Sequence, residues 1–178
     1  MEPILKVADL SKAFSRAGRD AFFAVDHVSF EVQPGEILGI VGESGSGKST
    51  IARLITRQID ATGGQIFIDG QDITRLRGRD LIPVYAKIQM VFQSPADSFD
   101  PRRTLGDGIC ESLRNKGVPK AEREAKARAL LESCGLPGTF LARYPHQVSG
   151  GQCQRAAIAR ALMNDPRILF PYTTLFRS

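Results

Sequence analysis

The stretch GESGSGKST matches the pattern G-x-x-x-x-G-K-[ST] from Gly42 to Ser49. Glycines allow successive backbone N–H groups to turn into one concave loop, and a helix that starts at the loop adds a partial positive charge. Lys48 can reach the terminal phosphates of a nucleotide as a point charge, and the Ser49 hydroxyl can ligate Mg²⁺. The pattern predicts a polyphosphate site, although a Gly-rich turn without a ligand is the alternative. The residues expected to surround the phosphates are Gly42, Glu43, Ser44, Gly45, Ser46, Gly47, Lys48, Ser49 and Thr50.

A second anion-binding helix end is predicted in VSGGQCQRAAIARAL. Ser149, Gly150, Gly151 and Gln152 stand in front of an amphipathic helix, so backbone donors and the positive end of the helix dipole face outward there. The alternative is an ordinary helix with a serine cap. His146 lies just before this stretch, and we expect it to have a packing or helix-entry role in preference to a catalytic one.

The segments around the first motif alternate or cluster their apolar residues in ways that predict strands. AVDHVSFEV has the period of a half-buried strand, and EILGIVG is nearly continuous, as in a strand buried on both faces of a parallel sheet. GGQIFIDGQDI predicts a hairpin that turns at Asp69 and Gly70. The order strand, glycine loop, helix is the context that the phosphate motif requires.

A change of pattern follows the short apolar segment IQMVFQ, because helical signals then replace strand signals. Thr104 and Asp107 form a predicted capping box. Pro119 can start the next helix and Gly135 can end it. These signals predict an inserted helical region.

Composition limits the class of protein. The chain has 178 residues, 42% hydrophobic and 24% charged, with a formal net charge of +5, which is typical of a soluble globular domain. The basic residues are mixed with acids, so a solvated surface is favoured over a nucleic-acid or anionic-membrane surface. Cys110, Cys134 and Cys153 have no metal-binding spacing and predict reduced thiols in the cytosol. No segment has the pattern of a signal peptide or a membrane span, so we expect a protein that is neither exported nor membrane-spanning.

Three ordered motifs together resemble the ATP-binding cassette (ABC) family of ATPases: the glycine loop, Gln93 at the end of VFQ, and SGGQ at Ser149 to Gln152. The resemblance covers residues 1 to about 170, and it is greatest to the subunits that power oligopeptide, dipeptide or nickel importers. It implies an α/β fold, a P-loop NTPase core with an antiparallel β subdomain and an inserted α-helical subdomain. The implied boundaries are 1–93 for the core with its β subdomain, 94–148 for the helical subdomain and 149–170 for the signature helix and the start of the Walker B strand. Val148 departs from the leucine that often begins the signature.

The resemblance also implies roles for particular residues. Phe14 would stack on adenine, with Phe22 and Phe23 as alternatives. Ser49 and Gln93 would hold Mg²⁺, and Gln93 would also report the nucleotide state to the helical insert. The residues Ser149 to Gln152 would close over ATP bound by a second ATPase subunit, in a homodimer or a heterodimer. ATP and Mg²⁺ are therefore the expected cofactors.

At the level of function, the resemblance implies a cytoplasmic ATPase subunit, peripheral on the inner face of the membrane, that drives solute import, most plausibly of peptides, through permease subunits. An extracytoplasmic solute-binding protein would be an indirect partner, and no nucleic acid is expected. A non-transport ABC ATPase of DNA repair or translation is the alternative.

The end of the chain departs from the family pattern, because PYTTLFRS follows PRILF where the resemblance implies an Asp–Glu pair. Codons that encode these eight residues resemble a sequencing adapter. We therefore interpret residues 171–178 as a non-native tail and expect the chain, truncated before the Walker B acids, to bind ATP without hydrolysing it appreciably.

Overall fold

The computed structural model describes residues 2–16, 19–91 and 98–171. The chain divides into two compact units, Met1–Tyr85 and Ala86–Ser178. The first contains β1 (Leu5–Arg16), β2 (Arg19–Val32), α1 (Lys48–Ile55), β3 (Gly63–Ile68), β4 (Gln71–Asp72) and a 3₁₀ turn (Gly78–Leu81), and α2 (Ile82–Lys87) crosses the boundary. The second contains β5 (Ile88–Val91), α3 (Leu105–Ile109), α4 (Glu111–Asn115), α5 (Lys120–Ser133), 3₁₀ turns at Gly138–Ala142 and Pro145–Gln147, α6 (Gly150–Leu162) and β6 (Ile168–Pro171).

The first unit is built on an antiparallel sheet with strand order β2-β1-β3-β4. The predicted hairpin is confirmed, since β3 pairs with β4 around Asp69 and Gly70, whose φ angles of 48° and 74° are those of a tight primed turn. Alternating residues of β1 and β3 are buried, including Leu5, Val7 and Ile66. This apolar face, together with buried side chains of α1, forms the core of the unit.

The prediction of a buried strand in EILGIVG is wrong for this structure. Residues 36–43 have no regular secondary structure, and Ile37 and Val41 are 96% and 83% exposed. A parallel strand needs a hydrogen-bonded neighbour, and within residues 2–16, 19–91 and 98–171 no strand pairs with this segment. The glycine loop therefore follows an extended apolar run that the described part of the first unit does not cover.

The second unit packs its helices around one apolar cluster that includes Leu105, Ile109, Leu131 and Met163. β5 and β6 form a parallel pair in which Val91 is opposite Pro171. Pro171, which the sequence assigned to the non-native tail, is thus the last residue of β6. A proline at the end of a strand costs no internal ladder bond. Residues 172–178 lie outside the described part of the chain.

The predicted helix ends of the second unit are confirmed. Thr104 caps α3 in a capping box, because its hydroxyl accepts from Asp107 N and the Asp107 carboxylate accepts from Thr104 N. Pro119 precedes α5, and Gly135 ends it with a φ of 73°. Among the helices described, none is long and apolar enough to cross a membrane.

A bulge in the β1/β2 pair brings an aspartate and a histidine together. Asp9 and His27 both have left-handed backbone conformations, with φ angles of 54° and 48°, and His27 Nδ1 lies 2.6 Å from Asp9 Oδ1. The hydrogen bond to Asp9, and then the charges of Asp9 and Asp26, raise the pKa of His27. Protonated His27 therefore stabilises the folded state.

We expect a small decrease in the free energy of unfolding as the pH rises through the folded pKa of His27. The contribution is fully present below the unfolded value, about 6.5, and is lost above the raised folded value. Urea unfolding of the chain and of His27→Gln at about pH 6 and about pH 8 would measure it. The variant should show a flatter pH dependence, and Asp9→Asn should flatten it too. An unchanged slope in both variants would contradict this role.

Candidate functional site

The glycine loop is fixed at its end by a close backbone approach. Gly47 is the N-cap of α1 and has a φ of 90°, a region that side chains disfavour. A Cβ atom there would lie 2.2 Å from the carbonyl oxygen of Ala24 in β2. Only glycine therefore fits at this position, and the sheet determines where α1 begins.

Lys48 places its ammonium group inside the loop. Its Nζ donates to the carbonyl oxygen of Gly42 at 2.7 Å, to the carbonyl oxygen of Glu43 and to Ser46 Oγ at 3.2 Å. A cation held among loop carbonyls marks the point at which an incoming anion would be neutralised. The loop can therefore bind a negatively charged group such as the phosphates that the sequence motif predicts.

The start of α1 is suited to anions for a second reason. Acidic residues are absent from the first turn of this helix, so nothing offsets the partial positive charge of its N-terminus. Ile51, Leu54 and Ile55 are buried and hold the helix on the sheet. Ser49, the predicted Mg²⁺ ligand, lies in this first turn, and Thr50 follows it.

The three aromatic residues that are candidates for stacking on adenine lie on the β1/β2 pair. Two of them directly precede Ala24, which contacts Gly47. Phe14 pairs with Phe22 across the strands, and their ring centroids are 5.9 Å apart in a stacked arrangement. Phe14, Phe22 and Phe23 are 37%, 55% and 56% exposed. Ala24 is the residue that contacts Gly47. Phe22 is two residues before it, which is about 7 Å along an extended strand. Phe22, the ring partner of Phe14, is therefore two residues from the β2 position that the glycine loop approaches, whereas Phe23 lies on the opposite face of the strand.

The predicted signature residues cap α6 in the second unit. The Ser149 hydroxyl accepts from Gln152 N at 3.3 Å, and the Gln152 side chain accepts from Ser149 N at 2.9 Å. Gly150 and Gly151 have open space where a Cβ atom would be. Cys153, Ala156 and Ala157 are buried on the other side of the helix. The glycines therefore present backbone to the outside of this unit.

Gln93, the predicted Mg²⁺ ligand and nucleotide sensor, lies outside the described residues. Among the residues that are described, His, Cys, Asp and Glu side chains do not gather in a group of three that could hold a metal ion. His146 stacks on Tyr144 with ring centroids 5.6 Å apart, which is the packing role predicted for it. Burial raises the pKa of the thiols of Cys110, Cys134 and Cys153, which disfavours the reactive thiolate form.

Comparison with known proteins agrees with these motifs. Residues 25–171 match the family model of the ABC transporter. The chain belongs to the ABC transporter family. A putative peptide import ATP-binding protein of Brucella ovis is 44% identical over 166 residues, 92% of this chain and 52% of that protein. A glutathione import ATP-binding protein of Escherichia coli O157:H7 is 44% identical over 176 residues, 94% of this chain and 28% of that protein.

Solved structures of ABC cassettes have the same fold. A dimeric bacterial ABC transporter cassette superposes with a TM-score of 0.85 at 32% identity, covering 94% of this chain and 72% of that one. A Clostridium perfringens protein, part of an ABC transporter complex, gives a TM-score of 0.84 at 25% identity, with 96% and 65% covered. The predicted family and the predicted fold class, a P-loop NTPase core with an antiparallel β part, are confirmed. The chain spans about half the length of the curated peptide-import relatives that it matches.

Sequence reasoning missed the residues that hold the ABC nucleotide motif in place. Ala24 and Val25 lie against Gly47, and Lys12 Nζ donates to the carbonyl oxygen of Asp60. These contacts join segments distant in sequence, and no short sequence motif predicts them. The packing of the glycine loop against β2, and of β1 against the chain after α1, was the missing information.

Proposed function

We propose that this chain is the nucleotide-binding part of an ATP-binding subunit that drives import of peptides or similar small solutes. The observation that carries the proposal is the glycine loop, in which Lys48 and the start of α1 converge on one anion-binding point. The peptide-import and glutathione-import names of relatives at 44% identity support the solute class.

In this proposal the first unit binds both ends of the nucleotide. Lys48 and the backbone N–H groups of the loop hold the phosphates, Ser49 ligates Mg²⁺, and Phe14 stacks on the base. Mg²⁺ would neutralise phosphate charge when it is bound. The stacked pair of Phe14 and Phe22 and the approach of the loop to Ala24 support this assignment, because both involve the β1/β2 pair.

The signature residues Ser149 to Gln152 serve a second ATPase subunit in this proposal. Their exposed helix end would contact the γ-phosphate of ATP bound by that subunit, and the dimeric cassette among the structural relatives supports such an arrangement. ATP-driven association would then move permease subunits in the membrane. The subunit would work in the cytoplasm, on the inner face of that membrane.

We expect Gly151→Asp to prevent ATP-driven dimerisation while leaving ATP binding to the monomer intact. The position has open space in the monomer, so the aspartate fits, but its charge would oppose a partner's γ-phosphate. Sedimentation of the full-length subunit with Mg-ATP should show association weakened by at least about tenfold. Gly151→Ala, which adds no charge, should retain most of it. Normal dimerisation of Gly151→Asp would contradict the proposed role of the signature.

A further inference from the structure

Lys12 connects the candidate base-binding aromatic to the segment that follows α1. Its Nζ lies 5.2 Å from the centroid of the Phe14 ring and donates to the carbonyl oxygen of Asp60 at 2.6 Å. A cation at this distance over an aromatic face is attracted to it. The position of the Phe14 ring is therefore tied to the position of Asp60.

Asp60 is itself held by a buried guanidinium group. The Arg57 side chain is only 2% exposed, and its Nη2 donates to Asp60 Oδ1 at 2.8 Å and to the carbonyl oxygen of Leu76 at 3.2 Å. Arg57 closely follows the end of α1, in a left-handed conformation with a φ of 55°. The chain after α1 is thus fixed by a charge-assisted hydrogen bond between a buried guanidinium group and a carboxylate that is 62% exposed.

Two further hydrogen bonds fix the same part of β1 to this segment. Thr62 N donates to the carbonyl oxygen of Ser11 at 2.9 Å, and Ala13 N donates to Thr62 Oγ1 at 3.0 Å. Backbone around Lys12 and backbone after α1 are therefore held at a fixed spacing. Because α1 begins at the glycine loop, this spacing relates the aromatic end of the site to the phosphate end.

We propose that Lys12 is a positioning residue for the nucleotide base, acting through Phe14. By bridging the Phe14 ring and the Asp60 carbonyl, it sets the distance between the aromatic platform and the loop that holds the phosphates. The inference rests on the proposed function, since it assigns a role within the same nucleotide site. Lys12 stabilises binding of the base, and it contributes nothing to binding of the phosphates alone.

The test compares ATP with inorganic tripolyphosphate, which lacks a base, in equilibrium titrations of the chain with Mg²⁺. Lys12→Met keeps the aliphatic stem and removes the charge. We expect its affinity for ATP to fall by about 2- to 5-fold, the size of an exposed cation–π contact, with its affinity for tripolyphosphate unchanged. Lys12→Arg, which can still donate to the carbonyl and lie over the ring, should restore ATP affinity. Lys6→Met is the matched control, because Lys6 is on the same strand in an ion pair with Glu31.

A double-mutant cycle separates action through Phe14 from direct contact with the nucleotide. In a Phe14→Leu background, Lys12→Met should have no further effect on ATP affinity. A full effect in that background, an equal loss of tripolyphosphate affinity, or no loss of ATP affinity would each overturn the positioning role. Failure of the unmodified chain to bind either ligand would overturn the proposed function as well, and it is distinguished from the other outcomes by that first titration.

Discussion

Replacing Lys48 by alanine should weaken ATP binding by about 10- to 100-fold, the value of one or two charge-assisted hydrogen bonds to phosphate. The ammonium group lies among the carbonyl oxygens of Gly42 and Glu43 and the Ser46 hydroxyl. Without it, the phosphates of ATP would meet those oxygens with no cation between them. Equilibrium titration of the chain with a fluorescent ATP analogue in the presence of Mg²⁺ measures the effect.

Two controls make the Lys48 result interpretable. Lys120→Ala removes a lysine from an exposed ion pair with Glu124 in the second unit and should leave the affinity unchanged. Lys48→Ala also removes hydrogen bonds within the loop, so circular dichroism and thermal unfolding should accompany each titration. Unchanged ATP affinity in a folded Lys48→Ala variant would show that the glycine loop is not the nucleotide site.

The second large effect is expected from adding one methyl group to the loop. Gly47→Ala places a Cβ atom 2.2 Å from the Ala24 carbonyl oxygen, at a φ of 90°. Either α1 or β2 must move, and we expect the free energy of unfolding to fall by about 2–4 kcal/mol. Since Lys48 is the next residue, ATP binding should fall with it. Chemical denaturation and ATP titration of the variant measure the two effects.

Gly45→Ala is the matched control for Gly47→Ala. Gly45 has a similar φ of 85°, but a Cβ atom there would meet nothing within 4 Å. The control therefore incurs only the cost of a left-handed alanine, about 1–2 kcal/mol. The difference between the variants isolates the contact with the sheet. Equal destabilisation would mean that the close approach of Gly47 to Ala24 has no energetic importance.

The features that the sequence predicted correctly depend on residues close together in the chain. The glycine loop before α1, the Thr104 capping box, the Gly135 helix end and the Ser149 cap each require side chains or backbone within a few positions. Such local hydrogen bonds form in the same way in many folds. This is why the motif residues could be assigned before the structure was known.

Features that depend on distant partners were not predicted. EILGIVG has the composition of a buried strand, but burial requires neighbours that composition does not specify, and Ile37 is 96% exposed. In the same way, the approach of Gly47 to Ala24 depends on how the start of α1 packs against β2, and the bridge from Lys12 to Asp60 depends on the path of the chain after α1. The periodicity of apolar residues indicates which secondary structure a segment is able to form. The strands and helices that pack against the segment determine whether it forms.

The exposed run Ile37–Val41 also bears on how the chain behaves at high concentration. It is uncharged, rich in β-branched residues and free of proline, which are the properties of segments that pair between molecules. The backbone N–H and C=O groups of an exposed run of this kind can form a ladder with the same run of another molecule. Concentrated samples should therefore be prone to aggregation, and a charge placed within the run should reduce that tendency.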